Sequence, residues 1–229
     1  MTAKQDWEAA AISLNAQGWA LLPKLIDAKS CTGLRNLYEK EVFRSTVVMA
    51  RHGFGRGEYK YFAYPLPGPL ANLRGALYAK FAPIANRWVE MRHQDVTFPA
   101  AHEDYLNRCH QAGQRRPTPL LLKYGPGDYN CLHQDLYGDH VFPLQLAILL
   151  SEPGEDFTGG EFVMTEQRPR AQSRASVVPL TRGDGVVFAV HHRPVQGKRG
   201  TYAVTHRHGV SALVTGERYT LGVIFHDAQ

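Results

Sequence analysis

Cysteine is scarce in this chain. The three present, Cys31, Cys109 and Cys131 among 229 residues, are too few and too scattered for a disulfide framework, so a reducing cytosol is the expected compartment. No apolar run approaches the roughly 20 residues a membrane helix requires. The opening "MTAKQDWEAAAISLNAQG" is polar and lacks the apolar stretch of a secretory signal. Internal repeats and low-complexity tracts are missing as well. These absences exclude a disulfide-stapled scaffold, a bundle of membrane-spanning helices and a repeat array. The expectation is a cytoplasmic protein without membrane contact.

What is present is ordinary in bulk. Hydrophobic residues make up 44% and charged residues 21%, as in globular domains. The length suits one domain large enough to bury a core. A formal charge of +5 permits an anionic partner and proves none.

The chain changes character near residue 117. Before it, helical spacing recurs. Residues 4–17 put Trp7, Ala10, Ala11 and Leu14 on one face. Residues 28–43 repeat Leu34, Leu37, Tyr38 and Glu41 at three- and four-residue steps, with Asp27 as N-cap. Residues 69–92 read as a helix bent or broken at Pro83, and residues 99–112 as a fourth opening at Pro99. A Gly-rich segment over about 46–64 has β-prone arms and reads as a hairpin whose mobile tip carries Arg51, Phe54 and Arg56.

After residue 117 come short strands such as "PLLLKYG", "FPLQLAILLS", "GVVFAV" and "RYTLGVIF", separated by turn residues. That pattern predicts a sandwich or barrel, most simply a jelly-roll closing over a pocket. The fold class is therefore α+β with a mainly β core. Residues 1–116 form a helical region with the hairpin, and residues 117–229 the catalytic core of the same domain.

Three His-x-acid pairs compete for a metal. Residues i and i+2 share a face on a strand but lie about 200° apart on a helix. His102-Glu103-Asp104 falls in a helical run and drops out. His93-Gln94-Asp95 sits at a helix C-terminus, where His93 suits the dipole. His133-Gln134-Asp135 follows a strand, a Pro-Gly turn and a return strand, and stays extended. A third ligand must come from His140, His191, His192, His206, His208 or His226. Two imidazoles and a carboxylate suit Fe(II), with positions left for a keto acid and oxygen. The far carboxylate of the keto acid needs a fixed guanidinium. Arg218 and Thr220, two apart on a strand that returns from His208, make such a clamp. We favour His208, with His206 the nearest rival.

Here the chain resembles a known superfamily. "YGPGDYNCLHQD", "RHGVSAL" and "RYTLGVIF" are similar to segments of the 2-oxoglutarate/Fe(II) dioxygenases, nearest the AlkB DNA-dealkylation enzymes. "FTGGEFVMTE" looks more like the prolyl-hydroxylase branch. The whole also resembles a bacterial family of oxygenases acting on damaged DNA (AlkX-like). The resemblance implies a double-stranded β-helix core with His133, Asp135 and His208 as iron ligands. It implies Arg218 as the partner of the distal carboxylate, Tyr124 as a further co-substrate contact, and O2 as oxidant. The function it implies is oxidative repair of alkylated DNA, so nucleic acid is the expected partner. A prolyl-type protein hydroxylase and a small-molecule hydroxylase are the alternatives. There are departures: Leu122 and Ile224 stand where AlkB has co-substrate contacts, and Tyr137 where it has an acidic base-reading residue.

Arg51, Phe54, Arg56 and Tyr137 are the candidate substrate contacts. Basic loops at Arg168, Arg170 and Arg174, and at Arg193, Lys198, Arg199 and Arg207, are expected around the barrel mouth. Cys131 reads as a small core hydrophobe rather than a ligand, and Asp184 as a strand-entry turn. Trp7, Trp19 and Trp88 read as helix-to-barrel packing.

Overall fold

A computed structural model describes residues 4–229. Helix α1 (Trp7–Gln17) begins at Asp6, whose carboxylate accepts from the Ala9 N–H. It ends at Gly18, in the left-handed region, and strand β1 (Trp19–Leu22) follows. Helix α2 (Ala28–Arg35) is capped by Asp27 as expected. It stops well short of residue 43, passing through a 3-10 turn (Asn36–Glu39) into β2 (Phe43–Val48). The apolar spacing that predicted a longer helix serves the turn and the strand instead.

After a 3-10 turn at Met49–Arg51 come β3 (Gly55–Arg56) and β4 (Glu58–Phe62). Helix α3 (Gly68–Met91) runs through Pro83 as one element, and α4 (His102–Gln111) starts three residues after Pro99. The remaining strands are β5 (Leu120–Tyr124), β6 (Tyr129–His133), β7 (Leu144–Leu149), β8 (Phe157–Gly159) and β9 (Phe162–Gln167). Then come β10 (Arg174–Val178), β11 (Gly185–Ala189), β12 (His192–Gly197), β13 (Gly200–Val210), β14 (Leu213–Gly216) and β15 (Arg218–Val223).

The strands form a major sheet, β1-β11-β7-β15-β5-β4-β2, and a minor sheet, β10-β9-β13-β6-β3, with β12 added along β13 and β14 pairing β8. This is the jelly-roll. The N-terminal portion is not helical alone, because β1, β2 and β4 complete the major sheet. The hairpin tip is tied down rather than free: β3 pairs with β6, and the Cys131 N–H donates to the Phe54 carbonyl.

The period of two sorts the major sheet. Leu146, Ile148, Val187, Leu221 and Val223 pack against α1, α3 and α4, while Ala147, Leu149, Val186 and Phe188 face the minor sheet. Trp88 and Trp7 lie in the helix-side core as expected, whereas Trp19, on β1, packs on the inter-sheet core instead. Asp184 makes the strand-entry turn, accepting from the Thr181 N–H and hydroxyl and from the Lys24 N–H. Among the described residues no helix is long and apolar enough to cross a membrane.

Candidate metal centre and co-substrate site

Strands β6 and β13 meet at the candidate metal site. Their pairing sets His208 opposite His133, with ring centroids 4.2 Å apart. The chain leaves β6 at His133 and brings Asp135 against both rings. His133 Nε2 lies 3.5 Å from Asp135 Oδ1, and His208 Nε2 lies 3.5 Å from Oδ2. Among the described residues this is the group whose donor atoms converge, all within 4.8 Å of one another. The His133 Nδ1–H donates to the Cys131 carbonyl at 2.8 Å. A carbonyl only accepts, so the proton sits on Nδ1 and Nε2 keeps its lone pair for a metal. Two imidazoles and a carboxylate fit Fe(II) and leave coordination positions open.

The electrostatics agree. Burial alone would push the Asp135 carboxyl up, but hydrogen bonds and charge from His133 and His208 outweigh it and hold it well below the usual range. Burial also disfavours charge on His133, where the Asp135 contact wins and raises its affinity for a proton. On His208 burial wins, reinforced by His133, so its proton affinity falls. The site thus holds an ionised carboxylate, to which a cation can bind in place of a proton.

Arg218 enters from β15, a strand buried along its whole length. Its Nη1 donates to Thr220 Oγ1 at 2.6 Å, and its buried Nε has no partner among the described residues. Burial pulls the guanidinium down to about 10, still cationic at neutral pH. Its guanidinium carbon lies 5.6 Å from the centre of the Tyr124 ring. An unpaired buried guanidinium calls for an anion, and the distal carboxylate of 2-oxoglutarate fits. Room for the side chain comes from Gly160 of the Gly-Gly pair. With φ +63°, its missing Cβ would lie 2.6 Å from Leu213 Cδ1 and 3.0 Å from Arg218 Cδ.

One cavity of about 310 Å³ joins these parts, lined by the three candidate ligands, Arg218, Thr220 and Tyr124. Leu122 lines it too, while Ile224 lies in the core with its carbonyl accepting from Arg74 Nε. Phe54 stands at the same cavity, exposed and stacked on His52 at 5.3 Å between ring centres. Arg56 is exposed beside Asp128 at 4.0 Å. Arg51 lies in the 3-10 turn before the tip, exposed and outside the lining residues.

The rival histidines are elsewhere. His206 is buried beside Arg193, 3.4 Å from its Nε. His226 is buried and accepts the Phe142 N–H through Nδ1. His140, His191 and His192 line a separate cavity of about 420 Å³, where the last two stack on each other.

Two expectations need correction. Cys131 is not a core residue: it shares the face of His133 and is exposed at the cavity. The cationic rim is also thinner than the sequence implied. Arg193 is buried against Glu166, and Arg168 and Arg174 bridge to the same carboxylate, so one acid occupies all three.

A family model described as "Oxygenase, catalysing oxidative methylation of damaged DNA" matches residues 57–228. The chain belongs to that oxygenase family. An uncharacterized protein from Mycobacterium tuberculosis strain H37Rv is 51% identical over 167 residues, covering 73% of this oxygenase and 72% of the relative. Among solved structures, a Pseudomonas putida prolyl-4-hydroxylase superposes with TM-score 0.59 at 15% identity, covering 95% of this chain and 96% of that one. A 2OG-Fe(II) oxygenase-family oxidoreductase from Burkholderia pseudomallei gives 0.56 at 16% identity, covering 100% and 95%. Those two likenesses confirm the fold. Family, fold and donor set agree on an oxygenase of the Fe(II)- and 2-oxoglutarate-dependent superfamily.

Sequence reasoning missed Gln145. It is the lone polar residue in the run "LQLAIL" of β7, and the period of two turns it into the cavity with Ala147. That isolated polarity was the available signal. Its Nε2 donates to Asp135 Oδ2 at 2.8 Å. Tyr137, read as a substrate contact, lines the cavity but spends its hydroxyl on Asp135 Oδ1 at 2.7 Å.

Proposed function

We propose that this oxygenase acts on alkylated DNA, with His133, Asp135 and His208 holding Fe(II) and with Arg218, Thr220 and Tyr124 holding 2-oxoglutarate. The carrying observation is the family match over residues 57–228, supported by a cavity that His133, Asp135, His208, Arg218, Thr220 and Tyr124 line together. Held by these residues, Fe(II) with 2-oxoglutarate and O2 would supply the oxidising power to hydroxylate a C–H bond, with succinate and CO2 as the other products. The protein orients the parts. Arg218 fixes the far end of the keto acid, the apolar walls from Leu122 and Phe188 exclude water, and the His52–Phe54 pair offers a stacking face at the mouth. Hydroxylation of an alkyl carbon on a base nitrogen gives an unstable adduct that expels an aldehyde and restores the base. The chemistry therefore removes an alkyl group rather than adding one.

The test is succinate production with Fe(II), 2-oxoglutarate and O2, run with no DNA, undamaged DNA and alkylated DNA. We expect stimulation by the alkylated strand, with loss of alkyl mass from it. Succinate release indifferent to DNA would retain the oxygenase and overturn the DNA reading, directing attention to peptide or small-molecule substrates.

A further inference from the structure

The Asp135 carboxylate is held from both sides. Tyr137 Oη–H donates to Oδ1 at 2.7 Å and Gln145 Nε2–H donates to Oδ2 at 2.8 Å, while the two imidazoles stand 3.5 Å from the same oxygens. We propose that Tyr137 and Gln145 are positioning residues that fix the plane of the Asp135 carboxylate and thereby set the site's metal affinity and coordination geometry. This rests on the metal reading of His133, Asp135 and His208, not on the identity of the substrate.

Each carboxylate oxygen has two lone-pair directions. One on each oxygen is taken by the clamp, so rotation about the Cβ–Cγ bond is blocked and the other lone pair stays on the imidazole side. The two clamp arms have different origins. Tyr137 lies two residues past Asp135 on the loop, whereas Gln145 stands on β7, a fully buried interior strand of the major sheet. The loop ligand is therefore referenced to the most deeply buried part of the fold. The orientation of the Gln145 amide follows from chemistry, because an ionised carboxylate can only accept and must face the NH2 group. That leaves Gln145 Oε1 buried at the cavity wall without a partner among the described residues, an acceptor open to a donor bound beside the metal.

Tyr137 is itself held. The Tyr61 hydroxyl, from β4 of the hairpin, donates to Tyr137 Oη at 3.2 Å, so the hydroxyl of Tyr137 is aimed rather than free to rotate. Merely satisfying a buried carboxylate would need these donors too, and the two roles separate experimentally. A structural donor matters to the metal-free fold. A positioning donor changes the metal.

The experiment is Mn(II) titration of the metal-free full chain without 2-oxoglutarate or DNA, with the Co(II) absorption spectrum as a geometric readout. Gln145→Met removes the bond to Asp135, and Tyr137→Phe removes its bond to Asp135 together with the one accepted from Tyr61, each at nearly constant volume. We expect each to weaken Mn(II) about 10- to 100-fold, the range for residues that orient a metal ligand, and to shift the Co(II) bands. Thermal unfolding of the metal-free variants should change little. Unaltered Mn(II) affinity and Co(II) spectrum in both folded variants would overturn the proposal, as would lowered metal-free stability with metal binding intact. If one variant fails to fold, the other carries the test. Wild-type protein binding no Mn(II) at all would instead remove the metal reading beneath it, a result distinct from failure of the clamp.

Discussion

Arg218 has almost no contact with solvent, 1% exposed, and its Nε has no partner among the described residues. Leaving a buried charge unpaired costs several kcal/mol, so the guanidinium should bind any dicarboxylate that reaches it with the proper length. Arg218→Lys keeps the charge and loses the planar fork. We expect the KM for 2-oxoglutarate to rise roughly tenfold or more, equivalent to about 1.4 kcal/mol per decade, with Mn(II) affinity nearly unchanged. Equal loss of both would show that Arg218 supports the metal site rather than the co-substrate. The choice between the two buried histidines of β13 is tested in the same way. His208→Ala should abolish metal binding, whereas His206→Ala should lower stability, since its ring packs under Gly18 and beside Arg193, while metal affinity persists.

Strands place these residues, and their spacing carries the site more than any loop does. On β15 the period of two sends Arg218 and Thr220 into the cavity and Tyr219 and Leu221 toward the helices. Closeness of β13 to β6 depends on Gly209, where a Cβ would stand 2.7 Å from the Asn130 carbonyl oxygen and 3.2 Å from that of Cys131. These are backbone atoms of the neighbouring strand and cannot swing aside. Gly209→Ala should therefore push His208 off His133, destabilising the fold by roughly 1–3 kcal/mol and weakening Mn(II) at least as much as loss of one clamp arm. A variant with wild-type Mn(II) affinity would mean that the strands slide without cost to the site.

The hairpin makes a separate prediction: Phe54→Ala with Arg56→Ala should cut DNA-stimulated turnover but spare DNA-independent succinate release. How much of this was legible differs by element. Arg218 and Thr220 could be paired from sequence because a strand fixes i and i+2 on one face, while His133 and Asp135 come together because the chain stays extended for two residues past the end of β6. Strand β1 was missed because four residues after a helix cap carry no alternation of their own and owe their state to pairing with β11. The α2 overshoot arose because a 3-10 turn repeats nearly the helical spacing. The strand of the hairpin that pairs with β6 is just Gly55 and Arg56, too little sequence to signal a strand.

Across the whole molecule, buried histidines make stability depend on acidity. Burial, with Arg193 nearby, pulls His206 down to about 4; burial, with Arg74 nearby, does the same to His226. Both are essentially inaccessible. The groups packed around His206 are Arg193, Glu166 and His192, and around His226 they are Arg74, Asp135 and Asp227. In the unfolded chain both imidazoles regain an ordinary value near 6.5. Between pH 6.5 and 4 the unfolded chain therefore binds protons that the folded chain refuses, and stability falls as pH falls. Above pH 6.5 both states are neutral at these positions and the effect vanishes. Each histidine contributes a slope of up to about 1.4 kcal/mol per pH unit. In metal-free protein His133 works in the opposite direction, because its contact with Asp135 raises its proton affinity in the fold. Burial also lowers His102 and His192 to about 4 and pulls down His191 and His208, so one opposing histidine stands against six and the net is a loss on acidification. Urea midpoints of the metal-free protein should fall from pH 6.5 to pH 4.5. His206→Gln, which removes one of these refusing sites, should make that fall shallower by one histidine's share, up to about 1.4 kcal/mol per pH unit, even if it lowers the midpoint at pH 7. A pH profile of the variant parallel to wild type would show that His206 accepts its proton inside the fold, and that Glu166 rather than Arg193 governs it.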